Sequence, residues 1–498
     1  MKSFEELQAG LGAAWSLNKP GSAAEHVLVS LPSYTMGDSL KAHYQERIPA
    51  LEHRYLLATL LLARITSCEL VALFSVLPDP ELVDYYINLL PPDTADSARS
   101  RLRIVVVPGS PSRSLAANLA RQPVLMAALR ASFADRPAFI EPWNVTDDEI
   151  EVARHLDAPI YGTSPAQWPL GYKSAGRRLF ADAGVPVAPG HEDLRSVDDV
   201  VAAGIALKAA DPLLHSLVVK LDNSGAGDGN MVIDLDGNEK TCAALLRDQV
   251  ATLPAWYLRE LEQGGVVEAL IEGPSVSSPS VQLEISPYGD VRVLSTHEQV
   301  LSGERGQVYD GCRFPANPSY APDLADYGRT VGRHLAREGA VGRVSVDFMA
   351  RADTRGHWNL YALEINLRKG GTTPPFTALR QLVPGHYDLG SSRWILPDGS
   401  SRYYCATDNL MDQAWLGLPA QRVIRTVEDA DLGFDPKSAT GVVLHMLSGL
   451  AIDGRFGLTA IGATPDHAAG LYEATKVAVA DGARAWARRP VVATRSPN

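Results

Sequence analysis

Cysteine is scarce in this 498-residue chain. Its four cysteines, Cys68, Cys242, Cys312 and Cys405, are widely scattered and form no C-x-x-C pair. That spacing disfavours a zinc site or a disulfide scaffold and predicts reduced, buried thiols. Blocks of Lys and Arg are also missing, and the formal net charge is −12. A nucleic-acid binder needs a basic footprint, so that class is excluded. Long apolar runs are absent too. The most apolar helical stretch, Tyr55 to Ile65, carries Arg64 and falls short of the roughly 20 residues that span a bilayer. Glu5 and Glu6 stand where a signal peptide would need an apolar core, so a cytoplasmic protein without a membrane partner is expected. No G-x-G-x-x-G follows the first apolar strand, and no Gly-Lys-Ser/Thr closes a phosphate loop. Internal repeats and low-complexity tracts are lacking.

With 46% hydrophobic and 21% charged residues, the chain is globular and long enough for two to four domains. The first third alternates strands and helices. Strands are expected at His26–Leu31, Cys68–Val76, Arg103–Pro108 and Ala138–Glu141. Helices are expected at Leu51–Arg64, Glu81–Leu90 and Leu115–Ala134, the last broken near Pro123, and Thr146–Glu149 forms a capping box. This alternation predicts an open parallel sheet over residues 1–165.

The middle third reads as α+β. Lys173–Gly184 and a Ser196-capped stretch read as helices. Strands follow at Leu217–Leu221 and Met231–Leu235, then a turn at Asp236-Gly237. Antiparallel strands recur at Val266–Ile271, Ser280–Ile285, Val291–Thr296, Arg343–Ala350 and Trp358–Ile365. After Pro374-Pro375 the character shifts again. A strand over Gly441–Leu447, a hairpin turn at Asp453-Gly454, a return strand Phe456–Ile461 and a long helix opened by Thr464-Pro465 are expected.

The richest chemistry lies in Tyr361-Ala-Leu-Glu-Ile-Asn-Leu-Arg-Lys-Gly-Gly371. Read as a strand, it lines up Glu364, Asn366 and Arg368 on one face. The carboxylate and amide suit Mg²⁺, a hard cation, and Asp347 on a neighbouring strand supplies a further carboxylate. Arg368 suits a phosphate or acyl phosphate. Gly225, Gly227 and Gly229, in the loop from Asp222 to Asn230, allow close backbone approach to phosphates. Lys173 and Lys220 form a pair suited to a nucleotide's phosphates. Val266-Val-Glu-Ala-Leu-Ile271 can present main chain, from Ala269 to Ile271, and Glu268 to an adenine edge. Taken singly, each of these also reads as ordinary structure: a salt-bridged strand, a surface amine or a hairpin loop.

Their order over residues 171–376 resembles the ATP-grasp superfamily. The resemblance implies two α+β lobes holding ATP between them. Lys173 and Lys220 then meet phosphates, Glu268 and the Ala269–Ile271 backbone meet adenine, Asp347, Glu364 and Asn366 hold Mg²⁺, and Arg368 faces the acyl phosphate. Ser275 departs from the acid that many members use to grip ribose. A narrower resemblance, to the peptide ligases of pheganomycin-type biosynthesis, is carried by Ser295–Leu301, Gly306–Pro315 and Glu364–Thr373. Pro374 departs from the histidine that often follows the Thr-Thr pair there.

This resemblance implies a pre-ATP-grasp domain (1–165), an ATP-grasp core (166–385) and a small α+β C-terminal domain (386–498). It implies a ligase joining a carboxylate donor to an amino-acid or peptide amine through an acyl phosphate, with ATP and Mg²⁺. Arg313 and His297 are the expected substrate contacts. A small-molecule kinase and a non-catalytic nucleotide-binding scaffold are the alternative readings. The composition is compatible with a homo-oligomer.

Overall fold

The computed structural model describes residues 2–35, 44–224, 229–235, 239–273, 275–302 and 308–487. Gly225, Gly227 and the Asp236-Gly237 turn lie outside the described residues. The first third forms the expected parallel sheet from β1 (His26–Leu31), β2 (Cys68–Phe74), β3 (Leu102–Val106) and β4 (Ala138–Pro142), in the order β3-β2-β1-β4. Alternation along β1 sends Val27, Val29 and Leu31 to one core and Leu28 to another. Parallel sheets are covered on both faces, which is why these strands read as continuous apolar runs.

The capping box is complete, with Thr146 and Glu149 each satisfying the other's backbone. Pro123 divides the expected helix into Leu115–Ala120 and Pro123–Ser132 and sits at the first position of the second, where its missing N–H costs nothing. The expected Leu51–Arg64 helix is corrected: Ile48–His53 is α-helical, but Arg54–Ala63 winds as a 3₁₀ helix. An apolar run serves either pitch, so the sequence did not distinguish them.

A small antiparallel sheet follows, from β5 (Gly190–His191), β6 (Ser216–Leu221), β7 (Asn230–Asp234) and β8 (Gly265–Ala269), ordered β5-β8-β6-β7. Its core joins Leu217, Val219 and Val267 to Val200 and Leu246 of two covering helices.

The remaining strands build one eleven-stranded sheet. They are β9 (Val276–Ser277), β10 (Pro279–Ile285), β11 (Val291–Ser302), β12 (Val308–Phe314), β13 (Gly342–Ala352), β14 (Trp358–Asn366), β15 (His386–Asp388), β16 (Arg393–Ile395), β17 (Ser401–Met411), β18 (Gly441–His445) and β19 (Arg455–Gly462). Its main path runs β14-β13-β10-β11-β12-β17-β16-β15. Pairing of β12 with β17 carries the sheet without a break across the expected boundary at 385/386. Leu28 and Phe74 likewise share a core with Val442 and Leu444, so the first and last thirds pack together.

The helix Ala321–Arg337 covers one face of the large sheet through Leu324, Val331 and Leu335. The sequence reading passed over it, although Ala321, Leu324, Ala325, Gly328, Val331, Gly332 and Leu335 recur at helical spacing. The expected hairpin forms, with β18 and β19 paired antiparallel, but its connection is longer than a turn at Asp453-Gly454. β18 stops at His445, Met446 turns left-handed (φ 55°), and a 3₁₀ turn, Leu447–Ala451, intervenes before β19. Among the described residues, no helix is long and apolar enough to cross a membrane.

Candidate active site

The antiparallel register of β13 and β14 sets Asp347 opposite Glu364 and Ser345 opposite Asn366. Residues directly opposite share a face, so the two carboxylates meet. Asn366 Nδ2 donates to Asp347 Oδ2 at 2.9 Å, and Gln299 Nε2 of β11 donates to Oδ1 at 2.8 Å. Burial and the neighbouring Glu364 carboxylate push Asp347 up to about 7, against the pull of Arg368, Gln299 and Asn366. A divalent cation between these oxygens would relieve that repulsion. Two carboxylates and an amide are a hard-oxygen set that fits Mg²⁺, with phosphates and water completing the shell. Among the described residues, no group of three or more His, Cys, Asp or Glu side chains could hold a metal alone.

Arg368 comes to this site by a different route from the one expected. β14 ends at Asn366, so strand alternation does not place Arg368. The turn after the strand brings its guanidinium within electrostatic reach of Asp347.

Lys173, at the first position of helix Lys173–Asp182, is buried. Its Nζ donates to the Ser224 carbonyl oxygen at 2.9 Å and to Ser224 Oγ at 3.1 Å, and lies 3.7 Å from Glu364 Oε1. It thus links the base of the glycine-rich segment to the metal-side carboxylate. Gly229 closes that base, because a Cβ there would stand 2.3 Å from Ser224 Oγ.

Glu268, expected at the adenine edge, lies between two cations. It is buried, with one carboxylate oxygen paired to Lys220 and the other to Arg177. Burial alone would raise its pKa, but the two cations hold it below the usual carboxylate range. Each oxygen thus meets a cation, and Lys220 is held by Glu268. Ala269 N–H and Leu270 N–H are likewise bonded, to the Pro189 and Ser216 carbonyls.

The expected substrate contacts are not brought to this site. His297 is fully buried, bonds Tyr404 Oη through Nε2, and burial pushes its pKa down to about 3. It is a core histidine. Arg313 is exposed and sits opposite Glu298 in the β11–β12 register. Gln299, which reaches Asp347, points the other way from Glu298, so Arg313 lies on the far face of the sheet.

Sequence reading missed Gln299 and the segment Glu141–Trp143. The latter ends β4, at the C-terminal edge where open parallel sheets present ligands, and that position was the available signal. Lys369 Nζ pairs with Glu141 at 2.8 Å, and Arg368 Cζ lies 5.0 Å from the Trp143 ring centroid.

Comparison with known proteins accords with this arrangement. A family model described as IQCH-like, ATP-grasp matches residues 252–388, and one described as PGM1 C-terminal domain matches residues 422–475. The L-propargylglycine--L-glutamate ligase of Streptantibioticus cattleyicolor is 33% identical over 428 residues, covering 83% of this chain and 86% of that protein. Among solved structures, the ADP complex of purK, an N5-carboxyaminoimidazole ribonucleotide synthetase, aligns with a TM-score of 0.52 at 12% identity, over 92% of this chain and 97% of that one. A biotin carboxylase–nucleotide complex from Campylobacter jejuni aligns with a TM-score of 0.53 at 14% identity, over 94% and 95%. The structural likenesses establish the fold alone; with the ligase relative, they establish that this chain belongs to the ATP-grasp family of carboxylate–amine ligases.

Proposed function

We propose that this chain is an ATP- and Mg²⁺-dependent peptide ligase, joining the carboxylate of one amino acid to the amine of a second amino acid or peptide. The observation that carries this reading is the convergence of Asp347, Glu364 and Asn366 with Lys173 and Arg368 at one end of the β13–β14 pair. A carboxylate is a poor electrophile. Transfer of the γ-phosphoryl group of ATP to its oxygen gives an acyl phosphate and ADP. The amine lone pair then attacks the acyl carbon, the bond to phosphate breaks, and phosphate leaves as the amine gives up its proton.

Asp347, Glu364 and Asn366 would hold Mg²⁺, which when bound neutralises charge on the phosphate oxygens. Lys173 adds positive charge from beside Ser224, at the base of the glycine-rich segment. The Arg368 fork faces the acyl-phosphate oxygens. The backbone from Ala269 to Ile271 borders the adenine. Lys220 acts through its pair with Glu268, which holds it beside the nucleotide.

The test is a hydroxylamine trap. The protein is incubated with Mg-ATP, hydroxylamine and a panel of the common L-amino acids plus L-propargylglycine, with L-glutamate as the first amine acceptor, after the S. cattleyicolor relative. ADP together with an amino-acid hydroxamate is the expected outcome. AMP with hydroxamate would mean adenylation and would overturn the reading, as would a stable phosphoester product.

A further inference from the structure

Arg368 has no ion-pair partner among the described residues, and its one hydrogen bond is a long contact, Nη1 to the Lys369 carbonyl at 3.3 Å. Its neighbour Lys369, by contrast, is tethered twice. Lys369 Nζ pairs with Glu141, and the Lys369 backbone N–H donates to the Trp143 carbonyl at 3.2 Å. What holds the Arg368 guanidinium is the indole of Trp143, whose centroid lies 5.0 Å from Cζ. That indole is fixed in turn. Tyr34 packs on it with ring centroids 4.7 Å apart, and Tyr34 Oη accepts from Arg54 Nη2 at 3.0 Å. Tyr34 and Trp143 each follow a parallel strand of the first third, β1 and β4. Arg54 closes the chain of contacts by pairing with Asp408 of β17.

The chemistry of this contact matters. An ion pair would fix Arg368 by consuming the N–H fork that an acyl phosphate needs. A ring attracts the cation through its π face and consumes no donor. We infer that Trp143, supplied by the first third of the chain, is a positioning residue that holds the Arg368 guanidinium ready for substrate without itself consuming any of its N–H groups. The parallel-sheet unit is then part of the reacting site through Trp143, and the Glu141–Lys369 pair fixes the turn that carries Arg368. This inference rests on the role given to Arg368 above.

The experiment is a double-mutant cycle read by hydroxamate formation, with Mg-ATP, hydroxylamine and the amino acid giving the strongest signal in the panel. Trp143→Ala is expected to lower kcat by about tenfold, between the scales of an exposed and a desolvated cation–π contact, while leaving KM for ATP within twofold. Trp143→Phe is expected to recover most of the rate. Trp143→Leu, which keeps apolar bulk but has no π face, should fall with Ala, and it serves if the Ala variant does not fold. In an Arg368→Ala background, Trp143→Leu should cost nothing further. An undiminished penalty in that background would overturn the inference while leaving the Arg368 assignment intact, and so would Leu performing as well as Phe. Full activity of Arg368→Ala itself would remove both.

Discussion

Lys173 Nζ lies 3.7 Å from Glu364 Oε1. The helix that Lys173 opens packs into the core of the large sheet through Leu179 and Phe180, beside Ile365 of the strand that carries Glu364. The same amine bonds Ser224, just past β6 of the small sheet, so Lys173 ties the two sheets together at the candidate site.

Glu364→Ala is expected to abolish both ADP release and product, because it removes a metal oxygen and unpairs Lys173. An active Glu364→Ala enzyme would sink the metal assignment. Gln299→Ala offers a graded test. Gln299 does not itself ligate but orients Asp347 through a 2.8 Å hydrogen bond. Its loss should weaken apparent Mg²⁺ affinity by about 10- to 100-fold, read from activity across a Mg²⁺ titration. Excess EDTA should stop the wild-type reaction, and added Mg²⁺ should restore it.

Glu268→Ala should act on stability as well as turnover. The substitution leaves Lys220 as a buried, uncompensated cation and Arg177 with Glu192 as its one remaining carboxylate, their side chains 9% and 4% exposed. Breaking such a pair costs about 3–5 kcal/mol. Urea unfolding should show the midpoint drop with an unchanged slope. A loss under 1 kcal/mol would mean that water reaches these cations.

Gly229→Ala tests the base of the glycine-rich segment. The new Cβ would force Ser224 away, since its Oγ lies 2.3 Å from that position. Ser224 supplies both hydrogen-bond acceptors of Lys173 Nζ. KM for ATP should rise several-fold, and Ser224→Gly in the same chain should restore it in part, since it removes the clash and keeps the carbonyl acceptor but loses Oγ. An unchanged KM would show that Lys173 does not depend on this anchor.

Buried histidines set a pH dependence. Burial pushes His297 down to about 3 and His445 down to about 4, from an ordinary value near 6.5. The unfolded chain binds protons that the fold excludes, so stability is lost as pH falls from about 6.5 toward 4. Each histidine contributes up to about 1.4 kcal/mol per pH unit. Glu52 runs the other way, since burial raises it to about 7 and costs stability as pH climbs toward that value. Comparison with His297→Phe separates the two effects. The variant's deficit against wild type should shrink steadily between pH 6.5 and 5 in urea melts. A constant deficit would mean that His297 is not held neutral.

The neighbourhood of Asp347 and Glu364 was legible because antiparallel strands with period-two side chains leave few registers, and the acids sit at matching positions. Gln299 was not legible. Whether a glutamine on a third strand faces a carboxylate depends on register across two further ladders. His297 was misread for a related reason: a polar residue in a strand faces either core or solvent, and its sequence does not say which. Arg313 failed on parity, one residue away from the face that would have brought it to the site.

The sequence by itself determined the alternating first third, the capping box, the break at Pro123 and the order of lysines, acids and arginine along the chain. These follow from local propensity, periodicity and spacing, which need no distant partner. Only the tertiary structure decided that the large sheet crosses residue 385, that Glu268 neutralises Lys220 and Arg177, and that Trp143 lies against Arg368. Each joins residues far apart in the chain. Such contacts are selected by the burial of apolar surface and the pairing of desolvated charge in the assembled fold, and local sequence carries no record of that selection.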